Sequence, residues 1–329
     1  MKLLRGIGCS LLGTTRLMYQ TQNRLINQIK CSILRAISHC SSLPVHLNIY
    51  RLNTWTVILI AAWLLSSLSA GCSGRQPVSL NDLQTVATAQ SMTVRRLNTN
   101  PFTLLALSPR IPAGQVLRVY IEGDGRAWIS RSRLSSDPTP TNPLALELMA
   151  VDNTPDKAYL ARPCQYLQTG ACNDSYWSGH RFSQEVVDSM NEALNQLKDA
   201  GNYRHLELVG YSGGGTMAAL LAARRDDVRF LRTIAGNLDH VWLNKHHKVS
   251  PLTGSLNPPD FADRLSRIPQ RHFVGENDRI VPLAVYRSYA GFFRDTGCLA
   301  VTTVPGADHV SGWQENWPRS LEEAPGCRN

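Results

Sequence analysis

The first 71 residues contain no aspartate or glutamate, although the chain of 329 residues carries 25 acidic side chains in all. Lys2, Arg5, Arg16, Arg24, Lys30, Arg35 and Arg51 lie in that acid-free stretch. It therefore holds seven of the nine excess positive charges, and the body that follows is left at +2. So neutral a body lacks the cationic surface that phosphate binding needs, which argues against a nucleic-acid partner. No apolar run approaches the roughly 20 residues of a membrane-spanning helix. No C-x-x-C pair occurs among the eight cysteines, so the usual zinc spacing is missing and no metal or other cofactor is implied. Internal repeats and low-complexity tracts are absent too. With 43% apolar and 18% charged residues the composition is that of an ordinary folded protein, and disorder is not the default reading.

What is present begins with an apolar segment at 55–65, WTVILIAAWLL, interrupted only by Thr56. It follows Arg51 and runs into Ser66, Ser67, Leu68, Ser69, Ala70, Gly71 and Cys72. A basic flank, a short apolar stretch and a small-residue exit describe a secretory signal at about 51–71. The end of it, Leu68-Ser69-Ala70-Gly71-Cys72, resembles the lipobox of bacterial lipoproteins. The resemblance implies lipidation of Cys72, a membrane anchor there, and a periplasm-facing place in a bacterial envelope. Ser69 departs from it, standing where an aliphatic residue is usual, so plain signal cleavage stays open. Residues 1–44 precede the signal by more than is usual. An overlong gene start accounts for them, and a mitochondrial-type presequence competes because the stretch is acid-free and contains arginine. The expected organisation is a leader over 1–71, a tether over 72–90 and one domain over 91–329.

Cys9, Cys31, Cys40 and Cys72 fall in the leader, leaving Cys164, Cys172, Cys298 and Cys327. In an oxidising compartment Cys164 with Cys172 and Cys298 with Cys327 is the economical pairing among three. Reduced, buried thiols are the alternative.

Within the body, 102–107 and 116–121 read as strands from their Val, Leu, Ile and aromatic content between Gly and Pro. A loop with Pro138, Pro140 and Pro143 follows, then a short strand at 158–161. Apolar residues at Val186, Val187, Met190, Ala193, Leu194 and Leu197 have helical spacing over 183–200, and Gly201 ends that helix. Strands at 206–209, 228–234, 271–274 and 299–304 alternate with helices at 216–224 and 282–296. Such alternation needs crossover connections, hence an α/β fold with a mostly parallel central sheet and helices on both faces.

The sharpest motif is Gly210-Tyr211-Ser212-Gly213-Gly214, a G-x-S-x-G between the strand LELV and the helical GTMAALLAAR. That strand-turn-helix setting suits an exposed nucleophile, and small neighbours let the helix start close to the strand. A serine hydroxyl needs a base, and the base needs an acid to orient it. Asp278 follows the strand RHFV, and His309 follows LAVTTV, both at strand C-terminal ends where ligand-side loops of open α/β sheets lie. Glu276, Asp308 and Asp239 compete with Asp278, Asp239 most seriously. His240, His246 and His247 are the only other histidines in a plausible loop, and that loop reads as solvated rather than metal-binding. An oxyanion hole would take one N–H from Gly213 and a second from the loop Glu122-Gly123-Asp124-Gly125-Arg126, with Asp124 or Gly125 as donor. In both motifs a glycine-rich turn without chemistry is the alternative.

The order EGDG, GYSGGG, GENDRIVP, GADH resembles the α/β-hydrolase superfamily across about 100–320. Residues 137–143 and 161–166 also resemble a group of proteobacterial α/β-hydrolase lipoproteins of unassigned substrate. Glu122 departs from common lipases, where a His often precedes the oxyanion glycine. The resemblance implies a serine hydrolase acting through an acyl-enzyme on a small ester or thioester. Residues 237–270 are too short for a large lid. A serine peptidase on the same fold and a non-catalytic, envelope-binding lipoprotein are the other readings.

Overall fold

A computed structural model describes residues 76–327. The leader, Cys72 and the first residues of the expected tether lie outside the described residues. In chain order the elements are α1 (Leu80–Ala89), β1 (Met92–Asn98), β2 (Thr103–Pro109), β3 (Val116–Ile121), β4 (Trp128–Ser130), β5 (Arg133–Leu134), α2 (Leu144–Ala150) and β6 (Lys157–Leu160). They continue as α3 (Gln184–Ala200), β7 (His205–Tyr211), α4 (Gly213–Ala222), β8 (Val228–Ile234), α5 (His240–His247), α6 (Ala262–Leu265), β9 (Gln270–Gly275), α7 (Leu283–Ala290), β10 (Leu299–Val304) and α8 (Trp317–Glu322).

Eight strands form one sheet in the order β1-β2-β6-β3-β7-β8-β9-β10, and β4 with β5 makes a separate small hairpin. β1 and β6 pair antiparallel with β2, while β6, β3, β7, β8, β9 and β10 pair in parallel. Successive strand side chains point to opposite faces, so each central strand feeds two cores. Leu117, Val119 and Ile121 of β3 and Leu206 and Leu208 of β7 pack into one cluster with α3, α4 and α7. Tyr120 of β3 and Val209 and Tyr211 of β7 pack into the other with α1, α2 and Trp317 of α8. The α/β-hydrolase architecture expected from the motif order, helices on both faces of a mostly parallel sheet, is the architecture observed.

Several elements differ from the sequence expectations. α1 falls inside the segment expected as a tether. Ser79 caps it, its hydroxyl accepting from Asp82 N while Asp82 Oδ2 accepts from Ser79 N, and Leu83 and Ala87, one turn apart, are fully buried. β1 lies outside the strands expected from sequence, and although Arg95 and Arg96 break its apolar alternation it pairs along its whole length with β2. α2 occupies the end of the proline-containing loop, and Leu144, Ala145, Leu146, Leu148 and Met149 are buried. The expected helix over 282–296 ends at Ala290, after which Phe293 turns back onto Tyr289 with ring centroids 4.7 Å apart. The supposed loop with three histidines is the helix α5, started by Asp239 accepting from Trp242 N at 3.1 Å. Across 237–270, Leu243, Ala262 and Leu265 are buried in the core, so this stretch packs into the body rather than forming a lid.

Candidate active site

The parallel strands β3, β7, β9 and β10 end at one edge of the sheet, and each carries one part of the site just beyond its last residue. Ser212 follows β7, Asp278 lies three residues after β9, His309 five residues after β10, and the Glu122–Gly125 loop follows β3. The sheet thus brings together residues separated by up to nearly 190 positions.

Ser212 sits between β7 and α4 with φ 51° and ψ −118°, a left-handed conformation that costs a non-glycine residue of order 1–3 kcal/mol and clusters at functional sites. Its N–H donates to Ile234 O, and its carbonyl accepts from Gly215 N and Asn237 N. These bonds hold the turn in a conformation it would not choose alone. The neighbouring glycine is forced by contact, since a Cβ at Gly210 would lie 2.2 Å from Gly214 O.

His309 Nε2 is 3.1 Å from Ser212 Oγ, and His309 Nδ1 is 2.9 Å from Asp278 Oδ2. With the Nδ1–H donating to Asp278, Nε2 is left to accept from the serine hydroxyl. The other oxygen of Asp278 accepts from the N–H groups of Ile280 and Val281, both at 2.8 Å. The carboxylate is fixed on both sides.

The rival acids are occupied elsewhere. Asp239 caps α5 and accepts from Asn257 Nδ2 at 3.0 Å and Ser288 Oγ at 2.7 Å. Asp308 accepts from Val310 N and Ser311 N, and these bonds hold its carboxyl below the usual range. Glu276 accepts from Gly306 N. The three histidines on α5 do not converge. His240 Nε2–H donates to Leu256 O, His246 stacks on Trp242, and His247 Nε2–H donates to Ile280 O. Among the described residues no group of three or more His, Cys, Asp or Glu is arranged to hold a metal.

The loop after β3 lies against the start of α4. A Cβ on Gly213 would meet Asp124 Oδ1 at 2.1 Å. The N–H groups of Gly213, Asp124 and Gly125 donate to no acceptor among the described residues, and Gly213 begins a helix, where N–H groups and the helix dipole favour negative charge. The Asp124 carboxylate is clamped between two arginines: Arg162 Nη1 donates to Oδ1 at 3.4 Å, and Arg181 Nε forms an ion pair with Oδ2 at 3.1 Å, at an angle too poor for a hydrogen bond. Arg162 is 4% exposed and also donates to Arg181 O, and burial lowers it to about 10, leaving it charged at neutral pH.

Glu122 is a buried carboxyl on the pocket wall. Gly123 N donates to its Oε1 at 2.9 Å and the Tyr159 hydroxyl to its Oε2 at 3.1 Å. Burial outweighs these bonds and pushes it up to about 7. Ser212 and His309 face a pocket of about 240 Å³ whose wall includes Glu122, Asp124, Gly125, Pro140, Thr141 and Tyr211. The Tyr211 hydroxyl donates to His309 O at 3.1 Å, and Trp313 Nε1 donates to Asp308 O at 2.9 Å, so the histidine loop is tied down from both sides.

The structure therefore gathers Ser212, Asp278, His309, Gly213, Asp124 and Gly125 at one place. Cys164–Cys172 and Cys298–Cys327 are disulfides, paired as the sequence spacing suggests. Glu122's burial, the Arg162 and Arg181 clamp and the role of Tyr211 in holding the His309 loop were not legible, because each depends on a partner far away in sequence. The x position of G-x-S-x-G being a tyrosine was the one visible signal, and it does not by itself name a partner.

No family model matches the chain, and no curated protein matches it. Solved structures similar in fold include Est1E from Butyrivibrio proteoclasticus, 14% identical, covering 70% of this chain and 98% of that one with a TM-score of 0.47. A Mycobacterium tuberculosis puromycin-hydrolyzing peptidase is 18% identical over 70% of this chain and 38% of that one, with a TM-score of 0.48. A lidless α/β serine hydrolase from Xanthomonas campestris is 10% identical over 73% and 97%, with a TM-score of 0.47. Likenesses this distant carry no residue's role across to this chain.

Proposed function

We propose that this chain is a serine hydrolase that works through an acyl-enzyme on a small ester or thioester. The observation that carries the reading is the continuous hydrogen-bonded series Ser212 Oγ, His309 Nε2, His309 Nδ1, Asp278 Oδ2, with Ser212 held at positive φ at the head of α4.

In this reading the serine oxygen attacks the substrate carbonyl carbon while its proton passes to His309 Nε2. Asp278 orients the imidazole and stabilises its charged form. The carbonyl oxygen becomes an oxyanion received by the N–H of Gly213 and that of Asp124 or Gly125. His309 then protonates the departing alcohol or thiol, and the acyl group stays on Ser212. Water, deprotonated by His309, repeats the attack and releases the acid. Two arginines against one aspartate, Arg162 buried and Arg181 partly exposed, leave a net positive charge behind the oxyanion loop, which favours the developing negative oxygen. No step uses a cofactor, and the pocket suits a small-molecule acyl substrate.

Labelling with a fluorophosphonate, followed by peptide mapping and a panel of esters, thioesters and amides, tests the reading. Modification at Ser212 with turnover of esters or thioesters is expected. Amide turnover at comparable rates favours a peptidase, and an unlabelled protein inactive on the whole panel leaves a non-catalytic envelope-binding protein.

Two disulfides point to an oxidising, extracytoplasmic compartment, and among the described residues no helix is long and apolar enough to cross a membrane. We further propose that Cys72 is lipidated and anchors the chain to a bacterial envelope membrane, facing the periplasm. Intact-mass analysis is expected to find a mature chain starting at Cys72 and carrying acyl groups. A mature chain that begins elsewhere without them removes the anchor.

A further inference from the structure

The pocket at Ser212 is small, about 240 Å³, below the roughly 300–1,000 Å³ usual for small-molecule sites. A second cleft of about 410 Å³ adjoins it. Thr141 is in the wall of both. One stretch of chain makes the partition, since Pro140, Thr141 and Asn142 face Ser212 while Thr141, Pro143 and Leu146 face the second cleft. The far wall is the segment entering α1, and Val78 N donates to Pro140 O at 3.0 Å, which ties it to that partition. The floor is mostly apolar: Val78 and Val86 from around α1 face Pro143, Leu146 and Ala150 from around α2.

The two charged side chains in its wall already have partners. Asp82 is engaged in capping α1, and Glu147 accepts from Gln314 Nε2. Both are acidic, and no cationic side chain lines the cleft. A substrate with an anionic tail would meet repulsion there, whereas an uncharged alkyl chain would bury against Val, Leu, Pro and Ala.

We propose that the groove between α1 and α2 is the acyl-chain subsite of the enzyme, so that its preferred substrates are esters or thioesters of unbranched, uncharged medium-length acyl groups. The carbonyl sits at Ser212, and the chain passes Thr141 into the groove. This rests on the serine-hydrolase reading above and narrows it from any small acyl group to one with a tail. It also gives α1 a purpose that its place at the start of the described chain does not suggest, because α1 and the residues before it supply half the groove.

The test measures kcat/KM of the full-length chain on p-nitrophenyl esters from acetate to decanoate, with Val86→Trp and Ala150→Phe as variants that fill the groove from opposite walls. Wild type is expected to rise with chain length through the medium range. In each variant the ratio of octanoate to acetate should fall by about tenfold or more, the scale on which apolar pockets discriminate by size. Two variants on different helices guard against one of them failing to fold. The structure of the protein after reaction of Ser212 with an octyl phosphonate gives a second measure, in which the alkyl chain should contact Val86 and Leu146.

A wild-type profile that declines steadily from acetate, ratios unchanged in both variants, or an alkyl chain directed into solvent overturns the subsite while leaving the hydrolase reading standing. A chain that turns over no ester and takes no phosphonate at Ser212 overturns both.

Discussion

The role proposed for Ser212 rests on one atom, so removing that atom separates chemistry from folding. Ser212→Ala should lower turnover by about a millionfold, as loss of the nucleophile does in related triads, while thermal unfolding stays close to wild type. Near wild-type activity in that variant would rule the nucleophile out. Asp278 and Asp239 are both buried aspartates close in sequence to loops of interest, yet their partners differ. Asp278→Asn should cost on the order of ten-thousandfold in kcat by disturbing the His309 tautomer. Asp239→Asn should keep catalysis and weaken the capping of α5, and stopped-flow rates on the two variants side by side decide the matter. Glu122 offers a pH signature. Its carboxyl is raised to about 7, so it is mostly neutral in mild acid and gains a negative charge beside the forming oxyanion as pH rises past 7. That charge opposes the transition state. The kcat/KM profile of the wild type should therefore fall above about pH 7, and Glu122→Gln should lose that falling limb. Identical limbs in both proteins would remove Glu122 from the electrostatics of the site.

Loops and helices hold these atoms in place, and the C-terminal segment shows how. β10, the His309 turn and α8 are enclosed by Cys298–Cys327, a separation of 29 residues. Closing a loop of that size contributes roughly 3–4 kcal/mol in the chain-entropy model. Trp317 anchors α8 by donating from Nε1 to the Tyr120 hydroxyl at 3.0 Å and packing edge-on against Phe273. Without the crosslink α8 is free to fray, and the histidine turn that it follows loses one of its supports. Reduction is thus expected to abolish activity at a lower reductant concentration or temperature than it melts the sheet. Parallel records of turnover and far-ultraviolet circular dichroism test this, and coincident loss of both signals would show that the crosslink acts on global stability alone.

Across the whole molecule, buried titratable groups set the response of stability to pH. His272 is fully buried between Thr233 and Gln270, and burial lowers it to about 3. In the unfolded chain it takes up a proton near its ordinary value of about 6.5, so its contribution is present above that pH and is lost as pH falls toward 3. Glu122 acts in the opposite sense, its raised value favouring the folded state at low pH and less so as pH rises through about 7. Urea unfolding between about pH 3.5 and 7 should give an acid limb that flattens in His272→Gln, by up to about 1.4 kcal/mol per pH unit. An unchanged slope would mean that other groups carry the acid sensitivity.

The three residues that the sheet brings into one hydrogen-bonded series, proposed above as nucleophile, acid and base, were legible in the chain because each announces itself locally: a serine among glycines between strand and helix, an aspartate and a histidine just past apolar strands. The alternation of strands and helices likewise fixed the fold class, since hydrophobic period and turn residues are properties of neighbouring positions. That Asp278 rather than Asp239 lies beside His309 was not local. It followed from which strand end the sheet order β7-β8-β9-β10 brings next to that histidine. The same holds for α1 and α2, whose apolar residues make a helix only because the sheet offers them a face to cover, and for Glu122, whose weakened acidity comes from burial. Composition and motif determined which residues are candidates for chemistry; tertiary packing decided which groups meet, how charged they are and how far the pocket extends, because burial and long-range contact are set by the whole chain at once.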